Sequence, residues 1–387
     1  MIYLTPYFKR FLQSEKAGGI LLLLFTVASL ILANSPSSNS YTAFWNVEIQ
    51  HHTLTDWIND GLMALFFLMI GLELEREFYQ GELSQIQNAV LPLFAAVGGM
   101  LGPFLIYMSL NYGTATDHGF GIPMATDIAF AIAALSVLGK RIPASLKVFL
   151  IAMAVIDDLG AILIIAFLYT KTIYWTYLFL GLAVFCVLLL LNKLKVNHLL
   201  PYIIGGILMW FLFLQSGVHA TISGVLLAFA IPFRDGGEKT PSSLVLHHLH
   251  WPIAFLVLPM FAAANTGIVF DGNVFDGMAE PHNTGIMLGL IVGKPLGILL
   301  LTAIAVYFKW GQLPQDIKWS HLLGAGLLGG IGFTMSIFIS LLAFDDIQLV
   351  NDAKIAILFG SFISAALGIL ILCFATRKNI SKPSIGP

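Results

Sequence analysis

Val155-Ile156-Asp157-Asp158-Leu159-Gly160-Ala161-Ile162 sets two adjacent carboxylates inside an apolar run that extends from about Ser145 to Leu168, with no basic residue after Lys147. At the centre of a bilayer each ionised carboxylate costs about 2.5 to 3.5 kcal/mol on insertion scales, so the pair needs a cation, a proton or a partner. Neighbouring residues on a helix point about 100° apart. One carboxylate can therefore face an aqueous cavity while the other reaches a fixed partner on another helix. A helix end with both aspartates at a polar interface is the plainer alternative, and the rest of the chain decides between the two.

That run sits in a chain of 387 residues that is 58% hydrophobic and only 10% charged, with a mean hydropathy of +0.88. Soluble domains carry about 25% charged residues, so the composition points to an all-α polytopic membrane protein. A formal net charge of −2 and the absence of a basic tract give no reason to expect a nucleic-acid partner. Cys186 and Cys373 both fall in apolar runs, where they read as small core residues and not as a disulfide or metal site. The 36 glycines suit close helix packing and interrupted helices in lipid.

Twelve apolar runs can be read along the chain, at about 17–33, 56–74, 89–112, 119–139, 145–169, 174–192, 199–214, 217–232, 251–270, 284–308, 321–344 and 353–376. The first follows Lys9, Arg10 and Lys16 like a signal peptide, but it is long for one and membranous sequence continues after it, so an uncleaved first span is expected. The runs at 199–214 and 217–232 look short for a bilayer. Between the first two runs lies a polar stretch, 34–55, in which Trp45, Val47 and Ile49 alternate with Asn46, Glu48 and Gln50, the pattern of a short strand with one apolar face. Such a strand can pair with its copy in a second subunit, and a simple loop is the alternative. With the N-terminus inside, sixteen of the 19 lysines and arginines fall on the inner side, Lys171 and Lys354 outside, and Lys294 within a run. That bias satisfies the positive-inside rule with both termini cytoplasmic and implies an inner-membrane protein.

Four further intramembrane features converge with the aspartate pair. Gly119-Phe120-Gly121-Ile122-Pro123-Met124-Ala125-Thr126-Asp127 interrupts an apolar run with residues that loosen a helix and a threonine that can satisfy freed backbone groups. Asp127 can equally be the N-cap of a helix that simply starts at Ile128. Gly329-Gly330-Ile331-Gly332-Phe333-Thr334-Met335-Ser336 interrupts a second run in the other half of the chain, although glycines of this kind also serve as packing faces. Interrupted runs at corresponding places in two halves point to inverted repeats, here about 89–169 and 284–376, with a binding site between the breaks. Lys294, near the middle of its run, calls for a carboxylate partner unless it snorkels to an interface. In this arrangement Lys294 offsets the negative C-terminal ends of broken helices and Asp127 the positive N-terminal ends. His219, in Ser216-Gly217-Val218-His219-Ala220-Thr221, reads either as a packing residue or as a proton carrier. Asp60 and Glu73 lie near the two ends of the second run, and Glu73 with Arg76 and Glu77 can form an inner charged funnel. His247, His248 and His250 precede the ninth run, as titratable groups that report cytoplasmic pH or as a solvated loop face.

Five stretches in this order, 125–131, 156–162, 216–221, 293–298 and 330–337, closely resemble the NhaA-type bacterial sodium/proton antiporters, and the resemblance runs over essentially the whole chain. It implies twelve helices with the fourth and eleventh broken and crossing in mid-membrane, and a homodimer aided by an outer β-hairpin around Trp45 to Ile49. It further implies that Asp158 is the principal ion-binding carboxylate, that Asp157 shares the sodium site and pairs with Lys294, that Thr126 is an oxygen ligand, and that Asp127 and Lys294 compensate the crossed helix ends. The transported species would be sodium or lithium and protons, with no cofactor. Leu246 stands where family members known for pH activation carry a glutamate, which leaves Glu73, Arg76, Glu77, His219, His247 and His248 as the pH-response candidates.

Two rivals are weighed against that reading. An intramembrane aspartyl protease using Asp127 and Asp157 requires Gly-x-Gly-Asp at a catalytic aspartate, and the chain has none. A sodium-coupled organic-solute symporter fits a broken-helix scaffold but has no need of a buried Asp-Asp-Lys cluster.

Overall fold

Apolar runs long enough to cross a bilayer satisfy their backbone in lipid by hydrogen-bonding within themselves as helices. The computed structural model describes residues 6–50, 52–170, 173–234, 237, 240–270 and 277–377. Among them, nine helices are long and apolar enough to cross a membrane, and a tenth span forms when Trp319–Gly329 and Phe333–Ala343, bent by 46° at their break, are taken together. The first apolar run lies within the helix Pro6–Ala33. The eighth is the nine-residue helix Ile222–Ala230, about 14 Å long at 1.5 Å per residue and far short of a bilayer core. Each of the twelve apolar runs contains helix, and among the described residues nine, or ten with the bent pair, have the length and hydropathy of a span.

The chain divides into two compact units, one comprising Met1–Gly19, Ile86–Asp157 and Gly272–Pro387, the other Ile20–Gln85 and Asp158–Asp271. The helix Ala144–Leu168 is continuous, and the division falls between its two aspartates.

In the first unit, glycines decide where Lys294 sits. Helix Ile86–Asn111 carries Gly98 and Gly102, and the partner segment carries Gly293 and Gly297, four residues apart in each case. A Cβ added at Gly98 would overlap the carbonyl oxygen of Gly297, one at Gly297 that of Gly98, and one at Gly102 that of Gly293. This small-xxx-small packing on both partners lets two backbones touch. Lys294 is held between the two glycines and is fully buried. Just before it, Gly289–Gly293 forms a π-helical turn in which the Lys294 N–H donates to the Gly289 carbonyl, five residues back. Pro295 explains the change of register: its ring clashes with the carbonyl four residues earlier, and a widened turn relieves that clash and re-aims the lysine. Two interruptions complete the unit. A 3₁₀ stretch, Asp117–Met124, passes through extended residues 125–127 into the helix Ile128–Val137. The break at 330–332 separates the bent pair of helices.

In the second unit, helix Met63–Gln80 packs against Ile222–Ala230 through the same device, since a Cβ at Gly224 would overlap the Ala64 carbonyl. Asn59 and Asn265 exchange amide hydrogen bonds of 3.3 and 2.8 Å. The expected strand over Trp45 to Ile49 is corrected. Trp45 ends the helix Ser38–Trp45, and only Glu48–Ile49 is a strand, paired antiparallel with His52–Thr53 of the same chain. Gln50, with φ of 54°, turns the chain back, so the alternating pattern is folded into a hairpin. Asp56 closes the hairpin's end by a capping box with Thr53.

Three further expectations are revised. Lys354, counted as an outer-loop cation, lies two turns inside the helix Ile347–Arg377 and is 9% exposed. That helix starts before the apolar run because Asp346 accepts the Gln348 N–H at 2.8 Å. Cys186 is exposed on its helix and is not a core residue. Of the cations used for orientation, Lys171, Lys239, Lys378 and Lys382 lie outside the described residues.

Candidate functional site

The aspartate pair opens no helix end: Asp157 and Asp158 are 1% and 0% exposed in the middle of a 25-residue helix. Lys294 reaches Asp157 with Nζ 2.6 Å from Oδ2, and it also donates to the carbonyl of Met124, the last residue of the 3₁₀ stretch. One ammonium therefore serves a carboxylate and the C-terminal end of a broken helix. Thr126 Oγ1 lies 2.7 Å from the same carboxylate oxygen and 2.8 Å from the Gly329 carbonyl at the second break. A hydroxyl has one proton for these two acceptors. With Asp157 ionised it donates to Oδ2; with Oδ2 protonated it accepts from Asp157 and donates to Gly329. Both protonation states of Asp157 are thus hydrogen-bonded without any side chain moving. The other oxygen of Asp157, Oδ1, is buried and without a hydrogen-bond partner among the described residues.

Asp127 joins the two breaks. Its N–H donates to the Ile331 carbonyl at 2.7 Å, and its Oδ1 accepts the Phe130 N–H at 2.9 Å as N-cap of the helix Ile128–Val137. Its Oδ2 accepts the Thr334 N–H at 3.1 Å and the Thr334 hydroxyl, in the first turn of Phe333–Ala343. A single carboxylate faces the N-terminal ends of two short helices, where aligned peptide dipoles favour negative charge. The N-cap reading and the interrupted-run reading of Asp127 are both correct. The sequence marks Thr334 and Ser336 as hydroxyl residues of the second break but assigns them no role; the Thr334 hydroxyl completes this cap, and Ser336 Oγ donates to the Ile122 carbonyl at 2.6 Å. The signal for both was a hydroxyl residue just after a glycine cluster in an apolar run.

The remaining candidates belong to the second unit. Glu73, Arg76 and Glu77 share one face at the end of the helix Met63–Gln80, and Glu73 is buried at 8% exposure. Glu75, which the sequence does not single out, is buried on the same helix and accepts from Ser242 Oγ at 3.4 Å. His247, His248 and His250 do not form a loop face. They lie in the helix Pro241–Pro252, capped by Thr240, with Leu246 buried among them. His247 and His248 pack edge to face at 5.8 Å, and His248 Nδ1 is 2.7 Å from the Leu244 carbonyl. His219 sits in the turn after Gly217, whose φ of 78° only glycine adopts readily, with Nε2 3.3 Å from the Tyr169 carbonyl.

Such a fold and such a cluster define an all-helical, multi-pass membrane protein of the broken-helix class, with an ion pair buried where two helix interruptions meet. Residues 9–372 match the Na+/H+ antiporter 1 family, and the chain belongs to it. A Flavobacterium johnsoniae protein named Na(+)/H(+) antiporter NhaA 1 is 56% identical over 378 residues, covering 97% of this chain and 99% of its own length. Proteins named Na(+)/H(+) antiporter NhaA from Flavobacterium psychrophilum and Dechloromonas aromatica are each 54% identical, over 97% of this chain and 98% of their own lengths.

Proposed function

We propose that this chain is an electrogenic, pH-dependent antiporter that moves sodium or lithium out of the cytoplasm in exchange for external protons. The carrying observation is the buried Asp157 carboxylate held between Lys294 and Thr126 at hydrogen-bonded helix breaks. The names of the relatives agree with an antiporter and lend nothing to an organic-solute symporter. Asp157 and Asp158 bind a dehydrated cation, with the unpartnered Oδ1 of Asp157, Thr126 Oγ1 and a backbone carbonyl as further oxygen donors. The ligand set is all oxygen, which suits a hard monovalent cation. Sodium and protons then compete for one place: deprotonation opens it to sodium, and protons arriving from outside expel the ion. When sodium draws Asp157 away from Lys294, the lysine releases its own proton, so more than one proton exchanges per sodium. Each net charge moved gains about 2.3 kcal/mol per 100 mV of membrane potential.

Segments 89–169 and 284–376 act as inverted repeats whose broken helices cross. The hydrogen bonds between residues 126–127 and 329–334 support this reading, as does the grouping of 89–157 with 284–376 in one compact unit. Asp127 and Lys294 compensate the helix ends. The protein resides in the bacterial inner membrane with both termini cytoplasmic, and the 48–53 hairpin lies outside, where it pairs with that of a second copy. Glu73, Arg76 and Glu77, with His219, His247 and His248, set the pH response in place of the glutamate that Leu246 replaces.

The test follows a pH dye in inside-out vesicles acidified by respiration, as sodium, lithium, potassium or choline chloride is added across a range of pH. Sodium and lithium alone should restore the dye, increasingly so as pH rises, and Asp158→Asn should lose the response. Recovery that requires an added organic solute would instead establish the symporter.

A further inference from the structure

We infer that Ser361 and Ser364, one turn apart on the helix Ile347–Arg377, are positioning residues of the ion site; this rests on the antiporter reading above. The break at 330–332 leaves carbonyls at the end of one short helix and N–H groups at the start of the next, and each such group needs a partner when buried. The first break reaches three of them: the Asp127 N–H donates to the Ile331 carbonyl, the Asp127 carboxylate accepts the Thr334 N–H, and Thr126 Oγ1 lies 2.8 Å from the Gly329 carbonyl, to which it donates when its proton is not on Asp157. Helix Ile347–Arg377 satisfies one more and adds a second donor to another, since the Leu327 carbonyl already accepts the Gly330 N–H at 2.9 Å. Ser361 Oγ accepts the Phe333 N–H at 3.1 Å, and Ser364 Oγ donates to the Leu327 carbonyl at 2.8 Å.

The two serines therefore hold the segment on both sides of Gly329, whose carbonyl is one of the acceptors around the Thr126 hydroxyl and so belongs to the cluster at Asp157. They are buried, at 5% and 0% exposure. A residue spacing of three puts them on one face of their helix, and that helix runs unbroken from Ile347 to Arg377, so one continuous helix anchors the residues that flank the non-helical stretch 330–332. Gly330 brings the backbone close, since a Cβ there would strike Ser364 Oγ.

Ser364 has a second acceptor. The Leu290 carbonyl is 3.5 Å from its Oγ, and that is the carbonyl the π-turn deprives of the Lys294 N–H. The hydroxyl thus lies between the broken helix pair and the turn that aims Lys294. A change in either element is felt by the other through one proton donor, which places Ser364 between the two parts that must change together when the occupant of the site changes.

Removing hydrogen bonds that orient a site's own ligands costs about 10- to 100-fold in metal affinity where it has been measured. In the Ser361→Ala/Ser364→Ala double variant, the half-saturating sodium concentration in the vesicle assay should rise at least about ten-fold, with the maximal rate per folded molecule little changed. Ser364→Thr, which keeps the hydroxyl, should retain most of the affinity in an otherwise wild-type chain. A merely structural pair would lower the amount of folded protein and leave half-saturation where it was. Wild-type exchange together with wild-type half-saturation in folded double variant overturns the assignment alone. A wild-type protein that exchanges no sodium overturns the antiporter reading and the assignment with it.

Discussion

Lys294→Met is expected to destabilise the protein by about 3 to 5 kcal/mol, the cost of breaking a buried ion pair by removing one partner. Burial is complete on both sides, and Nζ and Oδ2 are 2.6 Å apart. Methionine keeps much of the stem's volume, so the loss is electrostatic: Asp157 keeps its charge without a counter-ion, and the Met124 carbonyl loses its donor. The sign of the pH dependence follows. Protonating Asp157 removes the orphaned charge, so the deficit of the variant against wild type should shrink as pH falls and widen as pH rises. Thermal melting of the purified proteins at two pH values reads both effects. Adding Asp157→Asn to Lys294→Met should recover part of the loss, because a neutral pair leaves no buried charge. Equal melting of Lys294→Met and wild type at all pH values would remove the ion pair from the account. Any exchange that survives in the variant should carry fewer protons per sodium.

Asp127→Ala should come next in effect. It strips the cap from two short helices at once, leaving the N–H groups of Phe130 and Thr334 and the Thr334 hydroxyl without their acceptor. A lost cap costs about 0.5 to 2 kcal/mol, so two caps amount to about 1 to 4 kcal/mol. Asp127→Asn should lose less, because one of its two terminal atoms still accepts. Amide hydrogen exchange distinguishes a shared cap from a local one: in Asp127→Ala it should quicken at both 128–131 and 333–336. Quickening at 128–131 alone would mean that Asp127 caps its own helix and does not join the breaks.

Much of this was legible in the residues. Asp157, Asp158, Asp127 and Lys294 declared themselves because ionisable groups in apolar runs are costly, and a lysine without an interface to reach needs a carboxylate. The breaks were legible through Gly, Pro and Thr in the middle of otherwise apolar stretches. The partners that close the breaks were not. Ser361 and Ser364 sit in an ordinary-looking helix, and nothing in their local sequence says that a carbonyl and an N–H from 28 to 37 residues away will meet them. The hairpin was half legible: alternation marked Trp45 to Ile49, of which only Glu48–Ile49 is strand, and Gln50 in a left-handed conformation supplies the turn to its paired strand in the same chain. His247, His248 and His250 looked like loop because three titratable residues cluster just before an apolar run; Thr240 and Pro241 start a helix there instead.

As proposed, sodium and protons compete for the carboxylates of one site, so binding of the cation must release protons. Calorimetric titration of the purified protein with sodium chloride, repeated in buffers of different ionisation enthalpy and at several pH values, tests it most directly. Protons should leave the protein as sodium binds, and the apparent affinity should fall as pH falls, with both signals absent in Asp158→Asn. Sodium binding that releases no protons and keeps its affinity across pH would contradict competition at a common site.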